Sequence, residues 1–504
     1  MTAELASRPG LRDRFGSFVG RLRLIHLVPV LILLVLGAWS LASPIGAAPD
    51  DDFHLTSTWC ANAERTDLCE PGPAVDERIV APAVLLAPCF SQDPEVSAAC
   101  QDDYLGLGSE PSVTTHRGSF QNNYPPLFYA VMNIFAGPDL LGSGLLMRLF
   151  NILLFVAFST ALYVLVPRDL RPSLVWGWMI SVVPLGLFLI PSNNPSSWAI
   201  MGVGFSWLAL LAFTRTAGRT KVALGVIFAV TALMAAGARG DSAIYSVLGA
   251  VVVAVLTFRL DRRWFLDAIL PTVMAVVAVV FFLSSRQSSV ASVGLGDGQV
   301  PSVITDAFAR LAYNLMNVQS LWAGVFGSWG LGWLDTGMPA VVSLGGLAVF
   351  IAVAFLGIGI HGRRKTGVVI GLALVLWILP AYVLVQGLNV VGENVQPRYL
   401  LPLIVLFAGV VVLGVAGRDI RLGGVQKFFI VLTLAIAQSL AIHTNMRRYI
   451  TGIDVQSANL NSGIEWWWDA APSPMAVWII ASLAFTALIT ILVREMTKPH
   501  AIAA

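Results

Sequence analysis

Long apolar stretches separated by short polar segments make up most of the chain. A membrane-spanning helix needs about 20 predominantly apolar residues, and about twelve stretches reach that length. They lie at residues 24–43, 141–166, 173–190, 196–213, 222–238, 242–258, 265–284, 338–360, 366–386, 400–416, 428–444 and 474–493. The pattern predicts an all-α membrane protein with about twelve transmembrane helices.

The composition agrees with this prediction. Of the 504 residues, 57% are hydrophobic and 12% are charged, and the mean hydropathy is +0.77. A soluble domain carries about 25% charged residues, so this chain has too few polar side chains to cover a globular surface in water. The composition therefore excludes a cytosolic enzyme, a nucleic-acid-binding protein and a disordered scaffold, and it makes the lipid bilayer a partner.

Basic residues are concentrated on one predicted face of the membrane. The two tails and the short connections after the even-numbered spans hold 21 of the 31 lysines and arginines. Because cytoplasmic loops collect these residues, both termini are predicted to be cytoplasmic. The opposite, extracytoplasmic face is acidic, since residues 50–110 alone hold 13 of the 29 carboxylates.

This topology divides the chain into eight segments. Long loops are usually functional when they are ordered, so we expect the chemistry to lie in the extracytoplasmic ones. The segments are a cytoplasmic N-terminal tail (1–23), the first transmembrane helix (24–43), extracytoplasmic loop 1 (44–140), transmembrane helices 2–7 (141–284), an extracytoplasmic loop with a Gly/Trp motif (285–337), transmembrane helices 8–11 (338–444), a third long extracytoplasmic loop (445–473), and the last transmembrane helix with a cytoplasmic tail (474–504).

All four cysteines lie in extracytoplasmic loop 1. An even number of cysteines in an oxidising compartment indicates two disulfides. Three pairings are possible, and we favour the local one, Cys60–Cys69 with Cys89–Cys100. A zinc site is the alternative, although the Cys-x-x-Cys spacing that is typical of zinc ligands is missing.

Three carboxylates and a histidine directly follow the first span. If a helix starts at Asp50, His54 shares a face with both Asp50 and Asp51. A carboxylate beside an imidazole suits general-base catalysis, and Asp50 with Asp51 could instead hold a divalent cation such as Mg, Mn or Ca. The structural alternative is a helix N-cap, for which aspartate is a preferred residue.

Polar and aromatic residues near other predicted helix ends are candidates for binding a sugar. Asn193 and Asn194 offer amides in an external turn, and turn formation is their structural alternative. Tyr124 lies at a predicted membrane interface, where it could simply anchor the chain. Trp333 presents an apolar face against which a sugar or a lipid could pack, and Asp335 is a further external carboxylate.

External arginines are candidates for binding a phosphate. Arg398 and Tyr399 lie at the outer entry of an apolar span, where a guanidinium usually has a partner and its fork geometry suits an oxyanion. Contact with lipid headgroups is the alternative for Arg398. Arg447 and Arg448 form a basic pair on the acidic face, and Arg239 could face a phosphate or pair with the aspartate two residues later.

Four motifs, taken in chain order, carry a resemblance to a known family. They read Pro49-Asp-Asp-Asp-Phe-His54, Tyr124-Pro-Pro-Leu-Phe-Tyr129, Gly332-Trp-Leu-Asp-Thr-Gly-Met-Pro339 and Gln396-Pro-Arg-Tyr-Leu-Leu-Pro402. The chain resembles a family of bacterial polytopic membrane proteins of unknown function that is grouped with the C-type (GT-C) glycosyltransferase superfamily. Asp51, Asp52 and Pro397 stand where that family usually has Glu, Pro and Gly.

The resemblance implies a GT-C-like fold in the bacterial plasma (inner) membrane, with an extracytoplasmic active face. It implies a glycosyltransferase that moves a sugar from a polyprenyl-phosphate donor to a glycan or lipid acceptor of the cell envelope, without a nucleotide cofactor. Asp50 or Asp51 is then the general base, alone or through a divalent cation, and His54 orients it. Arg398 holds the leaving phosphate, and the arginines that could assist it are Arg239 or the pair Arg447 and Arg448.

Two other functions remain open. A transporter or flippase of lipid-linked sugars would place ionisable groups near the midplane of the membrane, whereas here they lie at the predicted helix ends. A non-catalytic envelope assembly protein would tolerate the loss of Asp50 and Asp51. If the chain is a glycosyltransferase, we expect these carboxylates and Arg398 to meet within about 10 Å, at the mouth of a cavity open to the outer leaflet.

Overall fold

The structure is a computed structural model that describes residues 23–294, 304–360, 362–414, 422–465, 468 and 472–498. The protein is mostly helical (68%). The helices are α1 (Leu24–Leu41), α2 (Asp51–Trp59), α3 (Pro82–Leu86), α4 (Asp102–Leu105), α5 (Leu127–Met132), α6 (Leu140–Leu165), α7 (Arg171–Ser181), α8 (Leu185–Leu189), α9 (Ser196–Phe213), α10 (Gly218–Ala238), α11 (Gly240–Thr257), α12 (Arg262–Ser284), α13 (Val290–Val293), α14 (Ala307–Asn317), α15 (Gln319–Ala323), α16 (Ala340–Ile358), α17 (Arg363–Gln386), α18 (Pro397–Val411), α19 (Gly424–Ile450) and α20 (Pro474–Met496).

Ten helices of the described residues are long and apolar enough to cross a membrane. They are α1, α6, α9, α10, α11, α12, α16, α17, α19 and α20, and each matches one predicted span. Most of the predicted N-terminal tail, the predicted cytoplasmic residues Arg418 and Arg421 and the last six residues lie outside the described residues.

The prediction of twelve spans is not confirmed at two places. Residues 173–190 form two helices, α7 and α8, because Pro184 lies between them and cannot donate the next helical hydrogen bond. The span at 400–416 is the 15-residue helix α18. Both regions lie inside the bundle, where α7 and α18 pack directly against each other. At this contact Gly177 faces Gly409, and a Cβ atom added to Gly177 would lie only 2.9 Å from the Cα of Gly409. Buried helices in such close contact need not match the thickness of the lipid.

The long helices divide into interior and peripheral ones. In the most apolar 18-residue segment of α9, 94% of the residues are buried, whereas in that of α12 only 6% are buried. Both sequences are apolar, because protein interior and lipid select the same side chains. We call the end of the bundle where α1 ends and α2 begins the Asp50 end.

The large loop between α1 and α6 is ordered by a small sheet and two disulfides. Strands β1 (Cys69–Pro71), β2 (Arg78–Val80) and β3 (Val113–Thr115) form an antiparallel sheet in the order β1-β2-β3. Ile79 pairs with Glu70 on one side and with Thr114 on the other. The disulfides are Cys60–Cys69 and Cys89–Cys100, which confirms the predicted local pairing. The first of them ties the end of α2 to β1.

Candidate functional site

The connector between α1 and α2, residues 42–49, is buried and held by side chains from distant parts of the chain. The carbonyl oxygen of Pro49 accepts hydrogen bonds from Asn194 Nδ2 and Arg398 Nη1, both at 2.8 Å. Buried carbonyl groups need such partners. Other connector carbonyls accept hydrogen bonds from Gln101, Arg148, Trp333, Asn445 and Tyr449. This network fixes where α2 begins and therefore where Asp50 lies.

Asp50 occupies the N-cap position of α2 without acting as a cap. Its backbone is left-handed (φ 59°), and its side chain makes no hydrogen bond to the first turn of the helix. A non-glycine residue held in this region is strained, and such strain is concentrated at functional sites. The N-cap interpretation is therefore wrong for Asp50, whose carboxylate is available for other partners.

The carboxylate of Asp50 lies between two guanidinium groups. One oxygen forms an ion pair with Arg398 Nη2, and the other lies 3.2 Å from Arg117 Nη2. Burial acts to raise the pKa of Asp50, but the positive charges of Arg398 and Arg117 outweigh it and lower that pKa to about 2. The side chain of Asp50 is nevertheless 35% exposed, so a ligand can reach it. The prediction that this carboxylate lies close to Arg398 is confirmed. The predicted cavity open to the outer leaflet stays a prediction.

Asp51 has a different environment from Asp50. It is fully buried, and its Oδ2 accepts a hydrogen bond from the backbone N–H of Ala48 at 3.1 Å. Burial raises the pKa of Asp51 to about 7, against the opposing charge of Arg148. A carboxyl group shielded in this way cannot touch an acceptor, so of the two candidate bases only Asp50 is accessible.

The imidazole ring of His54 makes no hydrogen bond to the carboxylate of either candidate base. Its Nδ1 is hydrogen-bonded to the hydroxyl of Tyr129 at 2.9 Å, and its Nε2 has no hydrogen-bond partner among the described residues. Burial lowers the pKa of His54 well below its ordinary value, so the ring is neutral. The predicted direct pairing of His54 with an aspartate is wrong, because the ring points to α5 and packs edge-on against Tyr124.

Arg239 pairs with Asp241 and also joins the same aromatic surface as Arg398. Its Nε and Nη2 donate to the Asp241 carboxylate at 3.0 and 2.8 Å, so the predicted pairing is present. Its guanidinium carbon lies 4.6 Å from the centre of the Tyr399 ring, and that of Arg398 lies 5.1 Å from the same centre. The centre of the Tyr124 ring lies 5.8 Å from the same guanidinium carbon of Arg239. Nη1 of Arg239 is buried and has no hydrogen-bond partner among the described residues.

Arg117 is a member of the site that the sequence did not reveal. It follows β3 and donates to Asp52 from Nε at 2.6 Å, in addition to its contact with Asp50. A single arginine in a polar loop has no pattern that marks it as functional. We call Asp50, Arg117, Arg239, Arg398 and Tyr399 the Asp50 cluster.

The two asparagines of the predicted sugar-binding turn serve the fold. Asn193 and Asn194 are buried, and Asn193 Oδ1 accepts a hydrogen bond from Arg148 Nε at 3.0 Å. Asn194 donates to the connector. The prediction that these amides bind a sugar hydroxyl is wrong, since their polar groups are used inside the protein.

Arg447 and Arg448 are also structural, which corrects their predicted phosphate role. Arg448 is fully buried and donates to the carbonyl oxygens of Phe90, Asp93 and Val96 and to Asp335 Oδ2 at 2.6 to 2.9 Å. The Nη atoms of Arg447 donate to the side chain of Thr451 and to the carbonyls of Asn459 and Ser462.

The Gly/Trp motif lies against the connector. Trp333 Nε1 donates to the carbonyl oxygen of Gly46 at 3.0 Å, and Asp335 is the carboxylate that pairs with Arg448. The polar groups of Trp333 and Asp335 therefore hold the fold, and neither supports the predicted contact with a sugar.

The carboxylates of this region do not form a metal site. Among the described residues, no group of three or more His, Cys, Asp or Glu side chains could hold a metal ion. Asp50 turns to Arg398, Asp51 turns inward to Ala48, and Asp52 turns to Arg117. This donor set does not fit a divalent cation, so no step below is assigned to one.

Comparison with known families gives one match. The family model described as "Predicted membrane protein (DUF2142)" matches residues 33–407, which include all four motifs. No curated protein and no solved structure matches the chain.

Proposed function

The chain belongs to the DUF2142 family of predicted membrane proteins, and from this premise and the geometry of the Asp50 cluster we propose that it is a membrane glycosyltransferase. The donor is a sugar linked to a polyprenyl phosphate, and the acceptor is a hydroxyl of a cell-envelope glycan or lipid. The reaction takes place at the Asp50 end of the bundle, which the charge pattern predicts to be extracytoplasmic.

One observation carries the proposal: an accessible carboxylate lies directly on a buried guanidinium. The Asp50 side chain is 35% exposed, whereas that of Arg398 is 2% exposed. A buried arginine with a fork geometry is well suited to hold a phosphate that loses its sugar. Asp50 is therefore placed to accept a proton within reach of the leaving group.

The donor phosphate first takes the place of Asp50 on the arginines. In the free protein the positive charges of Arg398 and Arg117 hold the pKa of Asp50 at about 2, which makes the carboxylate a weak base. A phosphate on Arg398 releases that carboxylate and adds a negative charge nearby. Both changes raise the pKa of Asp50 and activate it only when the donor is bound.

Transfer then follows with a complete balance of atoms. The acceptor hydroxyl gives its proton to Asp50, and its oxygen forms a bond with the anomeric carbon of the donor sugar. The bond between that carbon and the phosphate oxygen breaks, and the polyprenyl phosphate leaves with the electron pair. Arg398, with Arg239 beside it on Tyr399, stabilises the charge of the leaving phosphate.

The test is an assay of donor turnover with the full chain reconstituted in vesicles. A panel of polyprenyl-phosphate-linked sugars is supplied together with cell-envelope glycans and lipids as acceptors, and the release of polyprenyl phosphate is measured. We expect release with one donor class, and loss of release in Asp50→Asn. Binding of polyprenyl phosphate should be at least as tight in this variant as in wild type, because the carboxylate that competes for Arg398 is removed. Movement of intact donor across the membrane without release would indicate a transporter, and full function of Asp50→Asn would indicate an assembly protein.

A further inference from the structure

A second site lies at the end of the bundle opposite the Asp50 end. An open cavity of about 470 Å³ lies there between α1, α6, α7 and α20. Pockets for small molecules typically measure about 300–1,000 Å³, so this cavity has the volume of a ligand site. None of the residues of the Asp50 cluster lines it.

The cavity has the depth of one membrane leaflet. Its wall follows α1 from His26 to Leu36, a distance of about 15 Å at the helical rise of 1.5 Å per residue. This is half of the hydrocarbon thickness of a bilayer, which is about 30 Å. The deep part is lined by apolar side chains, among them Ile32, Leu36, Trp178 and Val182.

The mouth of the cavity is basic. Arg23 and Arg171 line it, and the guanidinium carbon of Arg171 lies 4.6 Å from the centre of the Tyr163 ring. Nε of Arg171 has no hydrogen-bond partner among the described residues. The acidic residue at the mouth, Glu495, is paired with Lys498 at 2.5 Å. The mouth therefore retains positive charge for an anionic headgroup.

We infer that this cavity binds one acyl chain of an anionic glycerophospholipid whose phosphate contacts Arg171 and Arg23. The charge pattern predicts this end of the bundle to be cytoplasmic, so the lipid comes from the inner leaflet. The deep apolar part of the cavity fits the acyl chain of such a lipid, and the basic mouth fits its phosphate. The inference does not depend on the proposed function, because the donor acts at the other end.

The experiment is native mass spectrometry of the full chain in detergent. Phosphatidylglycerol and phosphatidylcholine with identical acyl chains are added in parallel. We expect preferential retention of phosphatidylglycerol, and Arg171→Gln should lower it by about tenfold, the effect of one charge-assisted hydrogen bond. Arg263→Gln is the matched control, since Arg263 is an exposed arginine of α12 outside the cavity.

A second variant tests the apolar part of the cavity. Ile32→Trp fills the deep apolar part of the cavity without changing the basic mouth, so it should lower the retention of both lipids. The melting temperature of each variant is measured with and without phosphatidylglycerol, and only wild type and Arg263→Gln should be stabilised. Equal retention of the two lipids, retention unaffected by Arg171→Gln, or retention of a polyprenyl phosphate in place of phosphatidylglycerol would overturn the inference.

Discussion

Two arginine–aspartate pairs at the Asp50 end join distant parts of the chain in the same way but have different surroundings. In the pair Arg448–Asp335, the side chains are 0% and 6% exposed, and the arginine also donates to three backbone carbonyls. In the pair Arg398–Asp50, the arginine is equally buried but donates to one backbone carbonyl, and its carboxylate is 35% exposed.

The difference separates a structural pair from one whose carboxylate a ligand can reach. Arg448 joins α19, the disulfide loop and the Gly/Trp motif, and no reactant can reach its carboxylate. Arg398 holds a carboxylate that faces outward, and Arg117 and Tyr399 lie beside it. Both pairs join a buried arginine to an aspartate that is distant in the chain, so the accessibility of the aspartate distinguishes them. We call Arg448–Asp335 the closed pair and Arg398–Asp50 the open pair.

The largest expected effect is on the closed pair. Arg448→Ala leaves Asp335 buried without its partner and removes hydrogen bonds to three carbonyls. Loss of one member of a buried ion pair destabilises a protein by about 3–5 kcal/mol, so this variant should be recovered poorly and melt at a much lower temperature. A variant that folds and melts like wild type would show that the closed pair is not structural.

A second prediction concerns Asp51, the buried neighbour of Asp50. Its folded pKa of about 7 lies above the ordinary 3.8, so its contribution to stability is fully present below pH 3.8 and is lost as the pH rises through 7. The difference of about three pKa units corresponds to about 4 kcal/mol. Melting curves across this range should show the loss in wild type and not in Asp51→Asn. Parallel curves for the two proteins would contradict the prediction.

The third prediction concerns the open pair. Asp50→Asn should lower sugar transfer by at least about 100-fold, the usual lower range for loss of a general base. The melting temperature should fall less than in Arg448→Ala, because Arg398 keeps its contacts with Pro49 and Tyr399. Asp52→Asn is the matched control, because Asp52 also binds Arg117 but has no hydrogen bond to Arg398. Equal losses in the two variants would mean that Asp50 acts only by holding Arg117.

The smallest expected effect belongs to Arg117, whose side chain is 47% exposed. Exposed charges are screened by salt, so Arg117→Gln should raise the KM for the donor by a few-fold and leave kcat nearly unchanged. The KM of wild type should rise with salt more steeply than that of the variant. A change in kcat alone would assign Arg117 to the chemical step instead.

The sequence was sufficient for the features that depend on local pattern. Apolar length placed ten spanning helices, and loop composition indicated the disulfides Cys60–Cys69 and Cys89–Cys100. The resemblance of the motifs to a known family predicted that Asp50 and Arg398 lie in the same site. The pattern failed for α7 and α18, since apolar character does not distinguish burial in protein from contact with lipid.

The partners of polar groups could not be predicted in the same way. Arg448 and Asn194 donate to carbonyl oxygens that are far away in the chain, and a sequence does not show which carbonyl will be near. Arg117 lies in an irregular loop, and its contact with Asp52 depends on where α2 begins in the fold. The sequence assigned Arg448 from its charge and Asn194 from its amide, and it did not assign Arg117. The surroundings of these side chains in the fold decide what they bind.

The central claim is that a donor phosphate replaces Asp50 on Arg398. A cryo-electron microscopy structure of the full chain with bound polyprenyl phosphate tests it most directly. The account predicts a phosphate oxygen about 3 Å from the Arg398 guanidinium, with the Asp50 carboxylate released from that arginine. A phosphate bound elsewhere, with the Asp50–Arg398 ion pair intact, would contradict it.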